Sequence, residues 1–444
     1  MKVPVVLVVG GLDTGNGAGV ESDVKALATI GVHGVIAVSA LTVQTTRGIK
    51  KVVPIDPATF KENLEAVIED FEPSVVKTGM VWEGQYEVLK DAVNRYGLKL
   101  VVDPVLRAKD GSVLIPDIEG LKHLIRGAFA ITPNVPEAEY LSGMKINDVH
   151  DQVQAASKLR ETFSVENVIV KGGHLSGTDV GVLNGKVVKV SGRLYESKNT
   201  HGTGSIFASL FSGFIAKGLP SEEAFERASR LTRLSVLYSF DVGEGVGPVN
   251  PTAVLLLSAE KYRVMEEMYV LGRAIEEMEN FNRLVPEVQM NVAHSVSPEL
   301  VTSLDEIAVF ENRIVKNWRG EVKVGFPVVF GKPTHTARLL YASIRLGARY
   351  TFAVNLRYEE GIVELLRKYY SPREVVEVDR EREPEKDIEG KSMEWIVNYV
   401  REKHGAVPRV IYDTGVKGKE AMVRLFALNL EELLGALKFL TSKI

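Results

Sequence analysis

Short apolar runs alternate with helix-patterned segments through the first half of this chain, and this alternation constrains the fold more than any other feature. Buried strands are expected at residues 3–9, 35–41, 75–78, 98–102, 128–131 and 168–170. Helices are expected at 19–30, 57–70, 85–96, 148–162, 203–217 and 221–240. In the first of these, Val20, Val24, Leu27 and Ala28 share one face. Such repetition predicts a mostly parallel central sheet with helices on both faces. Residues 180–183 and 187–190, split by Asn184-Gly185, read as an appended hairpin.

The breaker-rich stretch from Gly243 to Pro251 ends this pattern. Beyond it a new helical pattern runs from 252 to about 279, and strands are expected near 322–330, 350–354 and 409–412. Two domains are therefore expected, 1–250 and 251–444, the second an α/β (α+β) domain. A formal net charge of −4 gives no global basic field for nucleic acid. Cysteine is absent, which excludes disulfides, thiolate metal sites and a cysteine nucleophile. The apolar start runs straight into Gly10-Gly11-Leu12-Asp13 without a cleavage signal, so it reads as a strand. No apolar run approaches the roughly 20 residues needed to span a bilayer. A cytoplasmic protein without membrane partners is expected.

The chemistry gathers at the ends of these strands, where open α/β sheets bind ligands. Asn199-Thr200-His201-Gly202-Thr203-Gly204-Ser205 leads into an apolar helix. Its free first-turn N–H groups make an anion site there. The first strand ends in a glycine-rich turn containing Asp13, Gly17 and Ala18. It lacks both the Rossmann acid after the second strand and a Lys-Ser/Thr pair, so neither a dinucleotide fold nor a P-loop is indicated. Gln44 ends the second strand with an amide that can donate and accept at a ring edge. Asp103 ends another strand, and Asn134 with Glu137 offer oxygen ligands of the kind Mg²⁺ accepts. Lys171 is placed to meet a nucleotide phosphate.

In the second half, Arg313, His335 with Arg338, Asn355 with Arg357, and Lys419 fall near expected element ends. His335 and Arg338 are three apart and share a helix face. Their common position points to an anion-binding cleft.

The ordered segments of the first 255 residues resemble the hydroxymethylpyrimidine and phosphomethylpyrimidine kinases of the ribokinase-like superfamily. The resemblance rests on the glycine loop with Asp13, Ala40 to Gln44, Lys77 to Met80, Asp103-Pro104-Val105, Thr132-Pro133-Asn134 with Glu137, Lys171 to His174, and Thr200 to Gly204. It implies that Asp13, Gly17, Ala18, Gln44 and Met80 line a pyrimidine pocket. It further implies that Asn134, Glu137, Lys171 and Thr203 serve ATP, that Asp103 and Glu137 serve Mg²⁺, and that Gly202, Thr203 and Gly204 form the anion hole. The family usually carries cysteine where this chain has Ser205. Ser205 is then expected to orient the substrate hydroxyl, while main-chain amides, Mg²⁺ and Lys171 supply most of the catalysis.

The last 180 residues or so resemble the thiamine-phosphate synthase domain found fused to such kinases. Matched segments are Arg313-Ile314-Val315, His335 with Ala337-Arg338, Asn355 to Tyr358, and Asp413 through Glu420. The resemblance implies that hydroxymethylpyrimidine diphosphate condenses with thiazole phosphate and releases diphosphate. Arg313, Arg338 and Arg357 are assigned to phosphate groups, His335 to the leaving diphosphate, and Asn355 and Lys419 to substrate. The alternative is a pyridoxal-type kinase fused to a thiamine-phosphate-sensing domain. A homodimer is expected by resemblance alone.

Overall fold

The computed structural model describes residues 2–106, 117–173, 175, 177–192, 195, 197–383, 391–416 and 420–444. It divides into two compact units, Met1–Leu255 and Leu256–Ile444. The division falls in the first turn of helix α9 (Ala253–Glu277).

The first unit holds strands β1 (Val5–Leu12), β2 (His33–Thr45), β3 (Gly48–Pro54), β4 (Val75–Thr78), β5 (Lys99–Val102), β6 (Ala130–Ile131), β7 (Asn167–Val170), β8 (Thr178–Leu183) and β9 (Lys186–Ser191). Among the described residues they form one sheet in the order β3-β2-β1-β4-β5-β6-β7-β8-β9. The centre, from β2 to β7, is parallel. Both margins are antiparallel: β3 on β2, and β8 and β9 beyond β7. The turn between β8 and β9 is Asn184-Gly185, both with positive φ, as a two-residue hairpin requires.

Among the described residues, eight helices accompany these strands: α1 (Gly19–Thr29), α2 (Pro57–Phe71), α3 (Gln85–Tyr96), α4 (Ile118–Ile125), α5 (Val135–Ser142), α6 (Val149–Phe163), α7 (Thr203–Ala216) and α8 (Ser221–Leu237). The period of two along β1 sends its side chains into separate cores. Leu7 and Val9 pack with Phe60, Leu89 and Leu159 of α2, α3 and α6. Val6 and Val8 pack with Leu27, Phe211 and Phe225 of α1, α7 and α8. That two-sided burial is why the strand reads as an unbroken apolar run.

The second unit is built differently. Its strands are β10 (Val292–Ser295), β11 (Ile307–Lys316), β12 (Val322–Phe330), β13 (Phe352–Arg357), β14 (Val375–Glu377), β15 (Val410–Asp413) and β16 (Met422–Ala427). Their order is β12-β11-β10-β13-β16-β15-β14. Neighbours run antiparallel except β14 and β15. Apolar side chains of α9, α10 (His335–Arg345), α11 (Glu360–Tyr369), α12 (Lys391–His404) and α13 (Leu430–Thr441) join the strands in one core.

Several strands escape a reading of periodicity. β2 runs on to Thr45 and pairs with β3, whose Lys50-Lys51 at a sheet margin imitates a loop. β10 buries His294 and Ser295. β11 carries Glu311-Asn312-Arg313 where its register with β12 is irregular, so strict alternation is lost. β14 has three residues, too few for a period.

A buried ion pair lies beneath the first sheet's ligand-binding end. Lys77 Nζ stands 2.7 Å from Asp23 Oδ2, and the Ser209 hydroxyl donates to Asp23 Oδ1 at 2.7 Å. All three side chains are buried. Burial pushes the Asp23 carboxyl above its ordinary value, against the pull of Lys77. Removing one partner strands the other charge without solvent. Lys77→Met is therefore expected to cost about 3–5 kcal/mol in urea denaturation, with much of the loss recovered in Lys77→Met/Asp23→Leu. A single-variant cost below about 1 kcal/mol would contradict the burial argument.

Candidate active sites

The first cavity forms where β1, β4, β5, β6 and β7 end. β1 stops at Leu12, and the chain turns back into α1 through Asp13 to Gly19. The Asp13 carboxylate organises that turn. Gly15 N–H donates to Oδ1 at 2.8 Å, and Gly17 and Ala18 N–H donate to Oδ2 at 3.1 and 2.8 Å. His201 Nε2 completes the set at 2.8 Å. Burial raises the Asp13 carboxyl, but His201 and the Ala18 and Gly15 amides outweigh it and hold it below its ordinary value. Asp13 lines the cavity, as the resemblance implies, with Oδ2 committed to its own loop and His201 and Oδ1 accepting from Gly15 alone.

The turn into α7 lies against the same loop. Gly202 has φ +86°, and a Cβ there would stand 1.8 Å from the Gly17 carbonyl oxygen. Only glycine allows this backbone approach. Thr203 opens α7, and Gly204 and Ser205 follow in its first turn, where helix geometry leaves N–H groups without an intrahelical acceptor. All three line the cavity. A Cβ on Gly204 would come 3.1 Å from Lys171 Nζ, so the lysine sits directly over the turn.

Lys171 Nζ bonds Asp103 Oδ1 at 2.8 Å, and Thr132 Oγ1 reaches the same oxygen at 3.3 Å. Asn134 and Glu137 form a reciprocal capping box at the start of α5, at 2.9 and 2.8 Å. Burial pushes Glu137 up to about 7, although Lys171 pulls it down. Gln44, Met80, Asp103, Asn134, Glu137 and Lys171 line the cavity beside the turn. Gly17 stands behind it, against the His201 ring.

Sequence reading gave no role to His201, Lys77 or Asp23, which also line this cavity. Lys77 and His201 stand inside the quoted motifs, but their partners come from distant segments. Ile49 was missed with β3. His174 lies outside the described residues.

The second cavity lies between the approach to β10 (Val288, Gln289 and Asn291), β11, β13, β16 and the start of α10. Thr334 caps α10, accepting from Ala337 N–H at 3.1 Å, and His335 is the first helical residue. Arg313 donates to the Val288 carbonyl at 2.6 Å, and Lys332 donates to the Glu311 carbonyl. Arg313, Lys332 and His335 thus bring cationic or ionisable groups to one helix N-terminus. Leu339, Met393 and Met422 give the cavity an apolar wall.

Asn355 lines this cavity but is committed to the fold. Its Oδ1 accepts from Asn291 N–H at 2.8 Å and Thr336 Oγ1 at 3.3 Å, and its Nδ2 donates to the Gln289 carbonyl at 3.1 Å. Arg338 and Arg357 stand outside the lining, Arg357 paired with Glu359 at 3.2 Å. On α10 the lining passes from His335 and Thr336 to Leu339, which takes the place next to Arg338, and Arg357 lies beyond the cavity on β13. Lys419 lies outside the described residues. Arg424, which sequence reading missed with β16, lines the cavity and holds Asp413 Oδ2 at 2.7 Å. Burial pushes the Arg424 guanidinium below its ordinary value, against the pull of Asp413.

Among the described residues no helix is long and apolar enough to cross a membrane. Residues 13–250 match the family model of phosphomethylpyrimidine kinase, and 267–438 that of thiamine-phosphate synthase ThiN. The hydroxymethylpyrimidine/phosphomethylpyrimidine kinase of Bacillus subtilis is 37% identical over 259 residues, covering 56% of this chain and 95% of that protein. The bifunctional thiamine biosynthesis protein ThiDN of Methanocaldococcus jannaschii is 27% identical over 435 residues, covering 97% and 96%. The pyridoxal kinase of Bacillus subtilis, solved as an ADP complex, superposes with TM-score 0.52 and 26% identity over 57% of this chain and 99% of that one. By fold, by cavity and by a family match that spans more than half its length, the chain belongs to the phosphomethylpyrimidine kinase family.

Proposed function

We propose that this chain is a bifunctional enzyme of thiamine biosynthesis. Its first unit uses ATP to phosphorylate 4-amino-5-hydroxymethyl-2-methylpyrimidine and then the monophosphate. Its second unit joins the resulting diphosphate to thiazole phosphate, giving thiamine phosphate and diphosphate. The observation that carries this reading is likeness along almost the whole chain to a bifunctional thiamine biosynthesis protein.

In the kinase step, the hydroxymethyl oxygen attacks the γ-phosphorus and ADP departs. Charge develops on the transferred phosphoryl oxygens. In this reading the Gly204 and Ser205 amides and the Lys171 ammonium meet that charge. Asp103 holds Lys171 in place, and Ser205 orients the attacking hydroxyl. Mg²⁺ carried with the nucleotide fits Asp103, just after β5, and Glu137, in the first turn of α5, two buried oxygen donors that suit contact through water. When bound, it would neutralise phosphate charge.

In the second step, the bond from the exocyclic carbon to diphosphate breaks, and the thiazole nitrogen supplies the new electron pair. Arg313 and His335 receive the leaving diphosphate at the start of α10, with Lys332 beside them. The apolar wall of Leu339, Met393 and Met422 suits the flat ring.

Incubating the protein with hydroxymethylpyrimidine, thiazole phosphate, ATP and Mg²⁺ is expected to yield thiamine phosphate. Pyridoxal in place of the pyrimidine is the control for the competing kinase reading, and tight thiamine-phosphate binding without condensation would favour the sensing one. His335→Ala and Arg313→Ala are each expected to lower condensation about 100-fold, with pyrimidine phosphorylation unchanged. Condensation at the unaltered rate in both would overturn the second-site assignment. Ser205→Ala is expected to keep phosphorylation within about tenfold, well short of the loss that follows removal of a general base.

Glu137 gives a pH test. Its carboxyl is neutral below about 7 and ionised above. The ionised form is the one suited to the cation, so kcat/KM for MgATP is expected to fall about tenfold per pH unit below that value. Glu137→Gln keeps the helix cap and should lower the rate and flatten this limb. An unchanged acid limb in the variant would remove Glu137 from the role.

A further inference from the structure

We infer that His201, backed by Asp13, is a positioning residue whose ring N–H fixes the Gln44 carboxamide, so that Gln44 offers its –NH₂ to a ring-nitrogen acceptor of the substrate. This rests on the kinase reading of the first cavity.

Three segments meet at one imidazole: the β1–α1 turn through Asp13, the end of β2 through Gln44, and the approach to α7 through His201 itself. His201 Nε2 is 2.8 Å from Asp13 Oδ2 and 3.1 Å from Gln44 Nε2. Asp13 already accepts from three main-chain N–H groups, which fixes it as a carboxylate that only accepts. The hydrogen between it and the ring therefore resides on His201 Nε2. An N–H cannot also accept from an amide –NH₂.

The far side of Gln44 presents the matching conflict. Thr42 Oγ1 donates its one hydrogen to the Leu12 carbonyl at 2.7 Å. Its lone pairs then face Gln44 Oε1 at 3.5 Å. A half-turn of the carboxamide leaves its outline unchanged and resolves both oppositions. Oε1 then shares the His201 Nε2–H with Asp13 Oδ2 in a three-centre bond, while –NH₂ donates to Thr42 Oγ1 and keeps one hydrogen for the cavity. The Gln44 main chain is pinned independently, by Thr14 Oγ1 at 2.7 Å to its carbonyl and 3.0 Å to its amide.

The ring cannot move away to relax the arrangement. It packs on Gly17, where a Cβ would meet His201 Cδ2 at 2.4 Å. Its main chain is held by Gly247 and Val249 at 3.1 and 3.0 Å. One imidazole thus links the residue that meets the ring to the turn that meets the phosphate.

Long-range ¹H–¹⁵N spectra of ¹⁵N-histidine-labelled full-length protein test this directly, with the His201 resonance assigned by its loss in His201→Phe. Hydrogen on Nε2 is expected; a bare Nε2 with hydrogen on Nδ1 alone would overturn the proposal. His201→Phe keeps a ring against Gly17 and removes the N–H, and Gln44→Glu keeps an acceptor towards His201 and removes the donor towards the cavity. Each is expected to raise KM for hydroxymethylpyrimidine about tenfold or more, through a lost or misdirected hydrogen bond. KM for ATP should stay within about twofold, a split that a general loss of structure would not give. An unchanged pyrimidine KM in His201→Phe would also overturn it. If that variant fails to fold, the shift of the same resonance in Gln44→Glu provides the assignment. Should the unaltered protein phosphorylate no pyrimidine, the kinase reading fails, while the spectrum still decides the His201 tautomer.

Discussion

The backbone contact between Gly202 and the Gly17 carbonyl is the constraint on which the first unit's chemistry depends. It brings the N-terminus of α7 against the loop that follows β1, at a distance no side chain would permit. Two loops far apart in sequence then become one wall. Asp13 gathers the first loop's amides, and His201 ties the second loop to that carboxylate. The first-turn amides of α7 are thereby presented as a rigid group. A preformed array of N–H dipoles stabilises developing phosphoryl charge without reorganising at the moment of transfer.

Charge is arranged around that wall in two lysine–aspartate pairs. Lys171 and Asp103 line the cavity beside the turn, and Lys77 and Asp23 form its buried floor. The upper pair carries a cation that a phosphate can share. The lower pair is sealed from solvent and held by Ser209 of α7, so it fastens that helix to the sheet. The second unit gathers its cationic groups by other means. A capped helix start, Arg313, Lys332 and His335 converge over a wall of methionine and leucine. In the proposed reading, the Arg313 guanidinium suits a planar, two-pronged grip on diphosphate.

Much of the first unit was legible because parallel strands buried on both faces leave unbroken apolar runs, as in β1, β4 and β7. The ligand-binding end was legible too, since glycines and acids must stand where these strands stop. The tertiary obligations of those residues were not. Asn355 carries the right chemistry for a ligand, yet its hydrogen bonds are spent on Asn291 and Gln289, which sequence spacing does not bring to it. His201 was overlooked for the complementary reason, because Asp13 and Gln44 reach it from distant segments. In the second unit, charged residues at an irregular register hid β11, and Arg424 interrupts the apolar run of the six-residue β16, so the setting of Arg313 and the place of Arg424 in the cavity were hidden with them.

The most direct measurement is a crystal structure of the full chain with hydroxymethylpyrimidine and a non-hydrolysable ATP analogue. The terminal phosphate should lie within hydrogen-bond reach of the Gly204 and Ser205 amides, with the Lys171 ammonium beside it. A terminal phosphate bound elsewhere, with the first turn of α7 facing only water, would contradict the account at its root.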